Sequence, residues 1–237
     1  MVDTKKLELY QLSNGYCYNS DSLFLYSFIR NFLKDNIKLL DIGTGCGILG
    51  LLCARDFKID LTLNDINPLM TNIALKNAKH NNIICDVVNG DILESKLSGF
   101  DVIVSNPPFY RKDILDSKNN HLYLAKKSEN LPLSKLVRFV KNALKPSGIF
   151  IFCYDAKEIK NVFHSLEINN FNIEVLRFVY PKENKNANLM MCQCKISKSQ
   201  TKILPPLYNF IGSENTKEAK EIFKTCKTLS IKLDNLE

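Results

Sequence analysis

Short apolar runs alternate with amphipathic segments from residue 37 onward, and this alternation constrains the fold more than any other feature of the 237-residue chain. Apolar runs of strand-like length lie at 37–42, 59–64, 83–88, 100–105 and 149–154. Segments with helical spacing of apolar residues lie at 47–56, 68–81, 133–144 and 159–168. Strands that alternate with helices predict an α/β fold, with βαβ units, a mainly parallel sheet and helices on both faces.

The two ends of the chain depart from this alternation. The runs at 171–180 and 188–196 have no helix between them, so we expect an antiparallel hairpin at one sheet edge and seven strands in all. Near the N-terminus, apolar runs at 7–12 and 16–18 flank Asn14-Gly15, a strong hairpin signal. Ser20-Asp21 is suited to capping a helix that runs to Phe32.

Composition favours a cytoplasmic protein without metal. No stretch approaches the roughly 20 consecutive apolar residues that a membrane helix needs. The eight cysteines include no C-x-x-C pair, and most lie inside apolar runs, which favours reduced thiols over disulfides. No histidine spacing completes a zinc site, so we expect no structural metal.

A glycine-rich loop joins the first of these strands to its helix. Its sequence is Asp41-Ile-Gly43-Thr-Gly45-Cys-Gly47, and glycines there let a ligand approach the backbone closely. A literal G-x-G-x-x-G at residues 45–50 would suggest a dinucleotide. Asp41, however, would repel a pyrophosphate and suits the ammonium and sulfonium of S-adenosylmethionine. A glycine turn that binds no ligand is the third alternative.

Two further acids follow the next strands. Asp65 lies about 20 positions past the glycine loop, where an acid commonly binds ribose hydroxyls. Alternatively, it caps the helix that begins near Pro68. Asp91 follows the third strand and is expected to reach the adenine of the cofactor. Ile66 or Ile92 would pack against the face of that adenine. On its own, Asp91 would equally suit a plain loop.

Asn106-Pro107-Pro108-Phe109 follows the fourth strand directly and indicates the chemistry. The Asn106 side-chain oxygen and the Pro107 carbonyl can both accept hydrogen bonds from one planar amino group, and the prolines fix these acceptors relative to each other. Phe109 offers a stacking face for a flat substrate. The amine loses its proton after it is alkylated, so no ionisable base is needed. A rigid turn without chemistry is the alternative.

The glycine loop, Asp65, Asp91 and the Asn-Pro-Pro-Phe motif, in this order, resemble the class I S-adenosylmethionine-dependent methyltransferases that modify planar amino groups. The resemblance implies their Rossmann-like fold and a cofactor site that includes Asp41, Gly43, Gly45, Gly47 and Asn106. Residues 15–25 and the tail from Leu204 are similar to bacterial tRNA adenine-N6 methyltransferases that act next to the valine anticodon, in which Ser20 and Asp21 would help to close the cofactor pocket. The family's histidine is missing from Ala125-Lys-Lys-Ser-Glu129.

The extent of the strand–helix alternation divides the chain into three segments, which we expect to form a single globular unit. Residues 1–36 would form an N-terminal hairpin and helix packed on the core, residues 37–200 the catalytic domain, and residues 201–237 a C-terminal extension with a helix. The chain would act as a monomer on tRNA.

Positive charge concentrates just after the Asn-Pro-Pro-Phe motif. Residues 106–150 hold nine basic and three acidic side chains, so they account for most of the net charge of +7. We interpret this block as a surface for RNA phosphates, whereas any single lysine in it would more often be merely solvated. The candidate RNA-binding residues are Arg111, Lys112, Lys118, Lys126 and Lys127.

The sequence therefore predicts methylation of adenine N6 in tRNA, in the anticodon loop at adenine 37 of tRNA(Val). N5-methylation of a release-factor glutamine uses a similar motif, but that family carries a sizeable helical domain before the cofactor loop, and only 40 residues precede Asp41 here. Guanine-N2 methylation of ribosomal RNA remains open because its motif is nearly the same. An RNA-binding module without turnover is disfavoured because Asn106 and the cofactor acids are all present.

Overall fold

The computed structural model describes residues 5–13, 17–107 and 131–233. The strands are β1 Leu7–Leu12, β2 Ile37–Ile42, β3 Ile59–Asp65, β4 Asp86–Asn89, β5 Phe100–Ser105, β6 Leu144–Asp155, β7 Asn172–Lys182, β8 Leu189–Lys195, β9 Lys202–Ile203, β10 Leu207–Ile211, β11 Glu214–Asn215 and β12 Thr228–Leu233. The helices are α1 Ser20–Ile29, α2 Ile48–Asp56, α3 Pro68–His80, α4 Leu133–Ala143, α5 Ile159–Glu167 and α6 Lys217–Cys226.

Ten of these strands form one sheet, in the order β11-β10-β7-β8-β6-β5-β2-β3-β4, with β9 beside β7. Strands β4, β3, β2, β5 and β6 are parallel to one another, and β8 is antiparallel to both of its neighbours. The predicted α/β fold with a mainly parallel sheet is confirmed. The expected seven strands were too few, because residues 202–215 add three strands beside and beyond β7. The antiparallel pair β7–β8 therefore lies inside the sheet rather than at its edge.

Helices cover both faces of the sheet. The first core cluster contains the buried faces of α1, α2, α3 and α6, and the second contains those of α4 and α5. No helix in the described ranges is long and apolar enough to cross a membrane.

The N-terminal strand pairs differently from the sequence-based expectation. β1 lies parallel to β12, with Leu7 opposite Thr228 and Leu12 opposite Leu233. The hairpin expected between 7–12 and 16–18 is wrong in the part that the structure describes, because Cys17 and Tyr18 belong to no strand. Two asparagines hydrogen-bond to the backbone of β1: Asn77, on α3, accepts from the Tyr10 amide at 2.7 Å, and Asn81, directly after α3, accepts from the Glu8 amide at 3.0 Å.

The direction of the connections places a crevice beside β2. The chain moves from β2 to β3 and β4 on one side, whereas β5 and β6 lie on the other side. Ligands of open α/β sheets bind at such a reversal, outside the carboxyl ends of the strands. The carboxyl ends of β2, β3, β4 and β5 are therefore the place to look for a functional site.

Candidate active site

The glycine loop leaves the carboxyl end of β2 and enters α2. Gly43 and Gly45 have φ angles of +68° and +57°, in the left-handed region that favours glycine. A Cβ added to either residue would meet no other atom within 4 Å, so these two positions border open space. Side chains there would fill the space that a ligand needs.

Asp41 is buried behind this loop. One carboxylate oxygen, Oδ2, accepts hydrogen bonds from the Thr44 hydroxyl at 2.6 Å and from the Gly50 amide at 3.0 Å. The other oxygen, Oδ1, has no hydrogen-bond partner among the described residues. Burial raises the pKa of Asp41 to about 6. A buried carboxylate with one unpartnered oxygen suits a cationic ligand.

Asp65, at the end of β3, ties the glycine loop to the start of α3. Its two carboxylate oxygens accept hydrogen bonds from the Gly45 amide and the Asn67 amide, each at 2.9 Å. Burial raises the pKa of Asp65 although these bonds oppose the shift. Asn67 caps α3 by accepting from the Leu69 amide, so the alternative capping role belongs to Asn67.

The segment after β4 brings Asp91 to the same edge. The Gly90 amide donates to the Asp65 carbonyl at 3.1 Å, and Asp91 Oδ1 accepts from the Leu93 amide at 2.9 Å. Ile92 is buried in the core, whereas Ile66 is 54% exposed. Of the two isoleucines expected at the adenine, Ile66 is therefore the one with a free face.

Asn106 lies directly after β5. The Ser105 hydroxyl donates to the Ile42 carbonyl at 2.8 Å, which joins the carboxyl ends of β5 and β2. The Asn106 side-chain amide donates to the Ser22 hydroxyl at 3.2 Å, and its oxygen accepts from the Cys153 thiol at 3.1 Å. Pro107 is described and buried, whereas Pro108 and Phe109 lie outside the described residues.

The start of α1 approaches this site through Ser22. Asn19 caps α1 by accepting from the Asp21 amide at 3.0 Å, so the cap falls one residue before the expected Ser20-Asp21. Burial raises the pKa of Asp21, and the hydrogen bond from Asn19 opposes this shift. Sequence reasoning missed Ser22 and Cys153, which lie 84 and 47 positions from Asn106. No local pattern links residues so far apart.

The five candidate RNA-binding residues of the basic block, Arg111, Lys112, Lys118, Lys126 and Lys127, lie outside the described residues. Two further cations of this block, Lys135 and Arg138, are described. Lys96, Lys135 and Arg138 line a groove of about 470 Å³ between α4 and the segment that follows β4, and none of the described residues that line it is acidic. Helix α4 also contacts the short turn Ile92–Glu94, which follows Asp91.

The open glycine positions, the unpartnered Asp41 oxygen and the buried acids at neighbouring strand ends fit S-adenosylmethionine, which carries an ammonium, a sulfonium and ribose hydroxyls. The acids fit a dinucleotide poorly, because its pyrophosphate would meet buried negative charge.

The chain is similar to known methyltransferases. Residues 19–170 match the family described as Methyltransferase small domain. A putative protein N5-glutamine methyltransferase of Methanocaldococcus jannaschii is 28% identical over 65% of this chain and 80% of its own length. A tRNA1(Val) (adenine(37)-N6)-methyltransferase of Porphyromonas gingivalis is 36% identical, but the match covers only 46% of each chain.

A solved structure shares the fold at low sequence identity. It is described as a predicted O-methyltransferase from Agrobacterium tumefaciens and is similar with a TM-score of 0.69 and 14% identity, over 89% of this chain and 98% of that chain. The family match covers well over half of the residues. The chain therefore belongs to the methyltransferase small domain family and is a class I methyltransferase whose cofactor is S-adenosylmethionine.

Proposed function

We propose that this enzyme methylates the N6 amino group of an adenine in tRNA, in the anticodon loop at adenine 37 of tRNA(Val). The observation that carries the proposal is the position of Asn106, at the carboxyl end of β5 beside the glycine loop, with its amide held by two hydrogen bonds. S-adenosylmethionine supplies the electrophilic methyl group. Asp41, Asp65, Asp91 and the glycine loop are the residues proposed to hold it.

The neighbours of Asn106 favour an amine over a hydroxyl as the acceptor. Its hydrogen-bond partners are a serine hydroxyl and a cysteine thiol, and burial raises the pKa of Cys153 well above its ordinary value. Neither group serves as a general base at neutral pH. A hydroxyl needs a base before it attacks, whereas an amine attacks through its lone pair and releases its proton afterwards. The Asn106 oxygen and the Pro107 carbonyl would hold that amine in place.

The basic groove favours RNA as the molecule that carries the amine. Lys96, Lys135 and Arg138 offer positive charge to phosphates, and no ion pair among the described residues neutralises them. The groove touches the turn that follows Asp91 at Leu93 and runs from there along α4 toward the start of β5, so it would engage RNA phosphates away from the reacting base. Phosphate contacts of this kind position RNA without reading its sequence.

Glutamine is the second candidate acceptor, because the Methanocaldococcus jannaschii relative is named for it and is covered over most of its length. A glutamine side chain presents the same planar amide nitrogen to Asn106. It would not use the basic groove, since a protein substrate brings no phosphates.

The decisive experiment offers the purified enzyme and labelled S-adenosylmethionine either unmodified total tRNA or a release factor, and identifies the product by mass spectrometry. N6-methyladenosine is expected from tRNA. Asn106→Ala should lower turnover by at least about 100-fold, which is roughly 2.7 kcal/mol of transition-state stabilisation. Asn161→Ala, an exposed asparagine on α5, is the matched control and should retain activity. Methylglutamine, N2-methylguanosine or normal turnover by Asn106→Ala would each refute the proposal.

A further inference from the structure

The side-chain amide of Asn106 is held from both sides by two side chains that the reaction itself does not require. Ser22, on α1, accepts from the amide nitrogen at 3.2 Å. Cys153, on β6, donates its thiol proton to the amide oxygen at 3.1 Å. Ser22 is 2% exposed and Cys153 is 0% exposed, so water does not compete freely for these contacts.

The two contacts distinguish the oxygen end of the amide from the nitrogen end. A hydroxyl can donate or accept, so Ser22 alone would tolerate either orientation. A thiol donates weakly and is a poor acceptor of N–H groups, so Cys153 favours the orientation that places the oxygen beside it. Burial keeps the Cys153 pKa well above its ordinary value, and the thiol therefore retains the proton that it donates.

We propose that Cys153 and Ser22 are positioning residues that fix the orientation of the Asn106 amide for the acceptor amine. The amide oxygen has two lone pairs. One accepts the Cys153 proton, and the other remains for an N–H of the amine. In the flipped orientation the amide would present its NH₂ group to the amine, donor against donor. The kinetic consequence rests on the proposed function, but the orientation itself does not.

The kinetic test compares three cysteine variants with the acceptor that the wild type methylates. Cys153→Ala should lower kcat about 3- to 10-fold, the range expected from the loss of a modest hydrogen bond. The KM for S-adenosylmethionine should stay within about twofold, because the change acts on the acceptor side. Cys153→Ser should recover most of kcat, since a hydroxyl also donates. Cys192→Ala, an equally buried thiol of β8 in the core cluster on the other sheet face, is the matched control.

A double-mutant cycle separates positioning from general packing. If Cys153 acts through Asn106, adding Cys153→Ala to Asn106→Ala should cost no further turnover. The proposal would be overturned if Cys153→Ala lowered turnover equally in the wild type and in Asn106→Ala, or if Cys192→Ala lowered turnover as much as Cys153→Ala. Either result would mean that the thiol only supports the core.

Nuclear magnetic resonance of the ¹⁵N-labelled, ligand-free protein tests the orientation without any methyl acceptor. The Asn106 side-chain NH₂ signals are assigned as the pair that disappears in Asn106→Asp. Cys153→Ala and Ser22→Ala should shift these signals and speed their exchange with water, whereas Cys192→Ala should leave them in place. Unchanged signals in Cys153→Ala would overturn the proposal. Shifted signals in an enzyme that leaves tRNA unmodified would refute the proposed substrate and retain the positioning role.

Discussion

At the scale of single residues, burial of the Asp41 carboxylate costs free energy, and binding of a cationic cofactor can offset that cost. Its carboxylate is buried and one oxygen lacks a partner among the described residues, and burial raises its pKa to about 6. Because the pKa in the folded state is above its ordinary value, the folded protein holds the proton more tightly than the unfolded chain. The contribution of Asp41 to the free energy of unfolding therefore falls as the pH rises from about 4 through about 6.

The same shift predicts how cofactor binding depends on pH. The cationic cofactor needs the ionised carboxylate, so its affinity should fall as the pH drops below about 6, by up to about tenfold per pH unit. Calorimetric titrations of S-adenosylmethionine between pH 5 and pH 7.5 measure this. Asp41→Asn should bind weakly and show a flatter dependence. Burial also raises the pKa values of Asp65 and Asp21, so these two residues would preserve part of the pH dependence of affinity in Asp41→Asn. Asp60→Asn, at an exposed position, is the control and should behave as wild type. A wild-type affinity that does not depend on pH would contradict this role of Asp41.

Some of the site residues could be located from the sequence, because polar residues at the end of an apolar run mark the carboxyl end of a strand. Asp41, Asp65 and Asn106 were expected beside one crevice for that reason, and the structure places all three at the carboxyl ends of neighbouring strands. Ser22 and Cys153 could not be found in this way. Their contacts with Asn106 depend on how α1 and β6 pack around β5, which no local pattern encodes.

At the scale of the elements, Gly50 sets the distance between α2 and the sheet. A Cβ at this position would lie 2.4 Å from Leu63 Cδ2 and 3.0 Å from Leu61 Cδ1. Alanine normally stabilises a helix interior relative to glycine by about 1 kcal/mol. Here overpacking should outweigh that gain, so we expect Gly50→Ala to destabilise the protein by about 1–2 kcal/mol.

Chemical denaturation of Gly50→Ala measures this balance. Cofactor affinity should fall as well, because the Gly50 amide donates to Asp41. Ser134→Ala, an exposed position on α4, should change the free energy of unfolding by less than about 0.5 kcal/mol. An unchanged denaturation midpoint for Gly50→Ala would show that α2 can move away from β3 at little cost.

The basic groove gives a second element-scale prediction. Reversing Lys135 and Arg138 to glutamate should weaken tRNA binding and flatten its dependence on salt, because each lost phosphate contact reduces counterion release. Lys34→Glu with Lys58→Glu makes the same charge change at two exposed lysines outside the groove lining, just before β2 and β3, and is the matched control. Filter binding at several salt concentrations measures both slopes. Equal slopes in the two variants would mean that the groove cations are merely solvated.

The elements themselves were predictable to different degrees. The parallel core and its helices follow a short-range periodicity, and β2, β3, β5 and α3 begin and end within two residues of the expected bounds. The sequence predicted a local hairpin for β1. Its actual partner, β12, is 221 positions away, and no local pattern can indicate a partner at that distance. β9 and β11 contain two residues each, too few for any apolar pattern.

At the scale of the whole molecule, one buried ion pair fastens the C-terminal helix to the body of the protein. Arg55 and Asp56, on α2, form an ion pair at 2.6 Å with their side chains almost fully buried. Arg55 also donates to the carbonyls of Thr225 and Cys226 in α6, and the Tyr26 hydroxyl of α1 donates to Asp56. These contacts link α1, α2 and α6. The division of the chain into three segments remains a prediction.

We therefore expect Arg55→Ala to loosen α6 before the central sheet. Removing one partner of a buried pair leaves an uncompensated charge and typically costs about 3–5 kcal/mol. Hydrogen exchange should become faster in Lys217–Cys226 and in β12, while β2 and β5 keep their protection. Lys58→Ala, which removes an exposed cation two residues after α2, should leave hydrogen exchange unchanged in both regions. Uniform loss of protection across the sheet would show that α6 is not a separate unit of stability.

The pairing of β1 with β12 also bears on how the chain folds while it is being made. Leu7 must wait for Thr228, which the ribosome adds 221 residues later. At roughly 5–20 residues per second, that delay is on the order of ten seconds or more. Throughout it, one edge of β1 has no strand beside it, although the parallel strands β2 to β5 can already assemble. The closing of this small sheet is thus a late event in biosynthesis, and until then β1 is an unpaired strand that neighbouring chains could pair with.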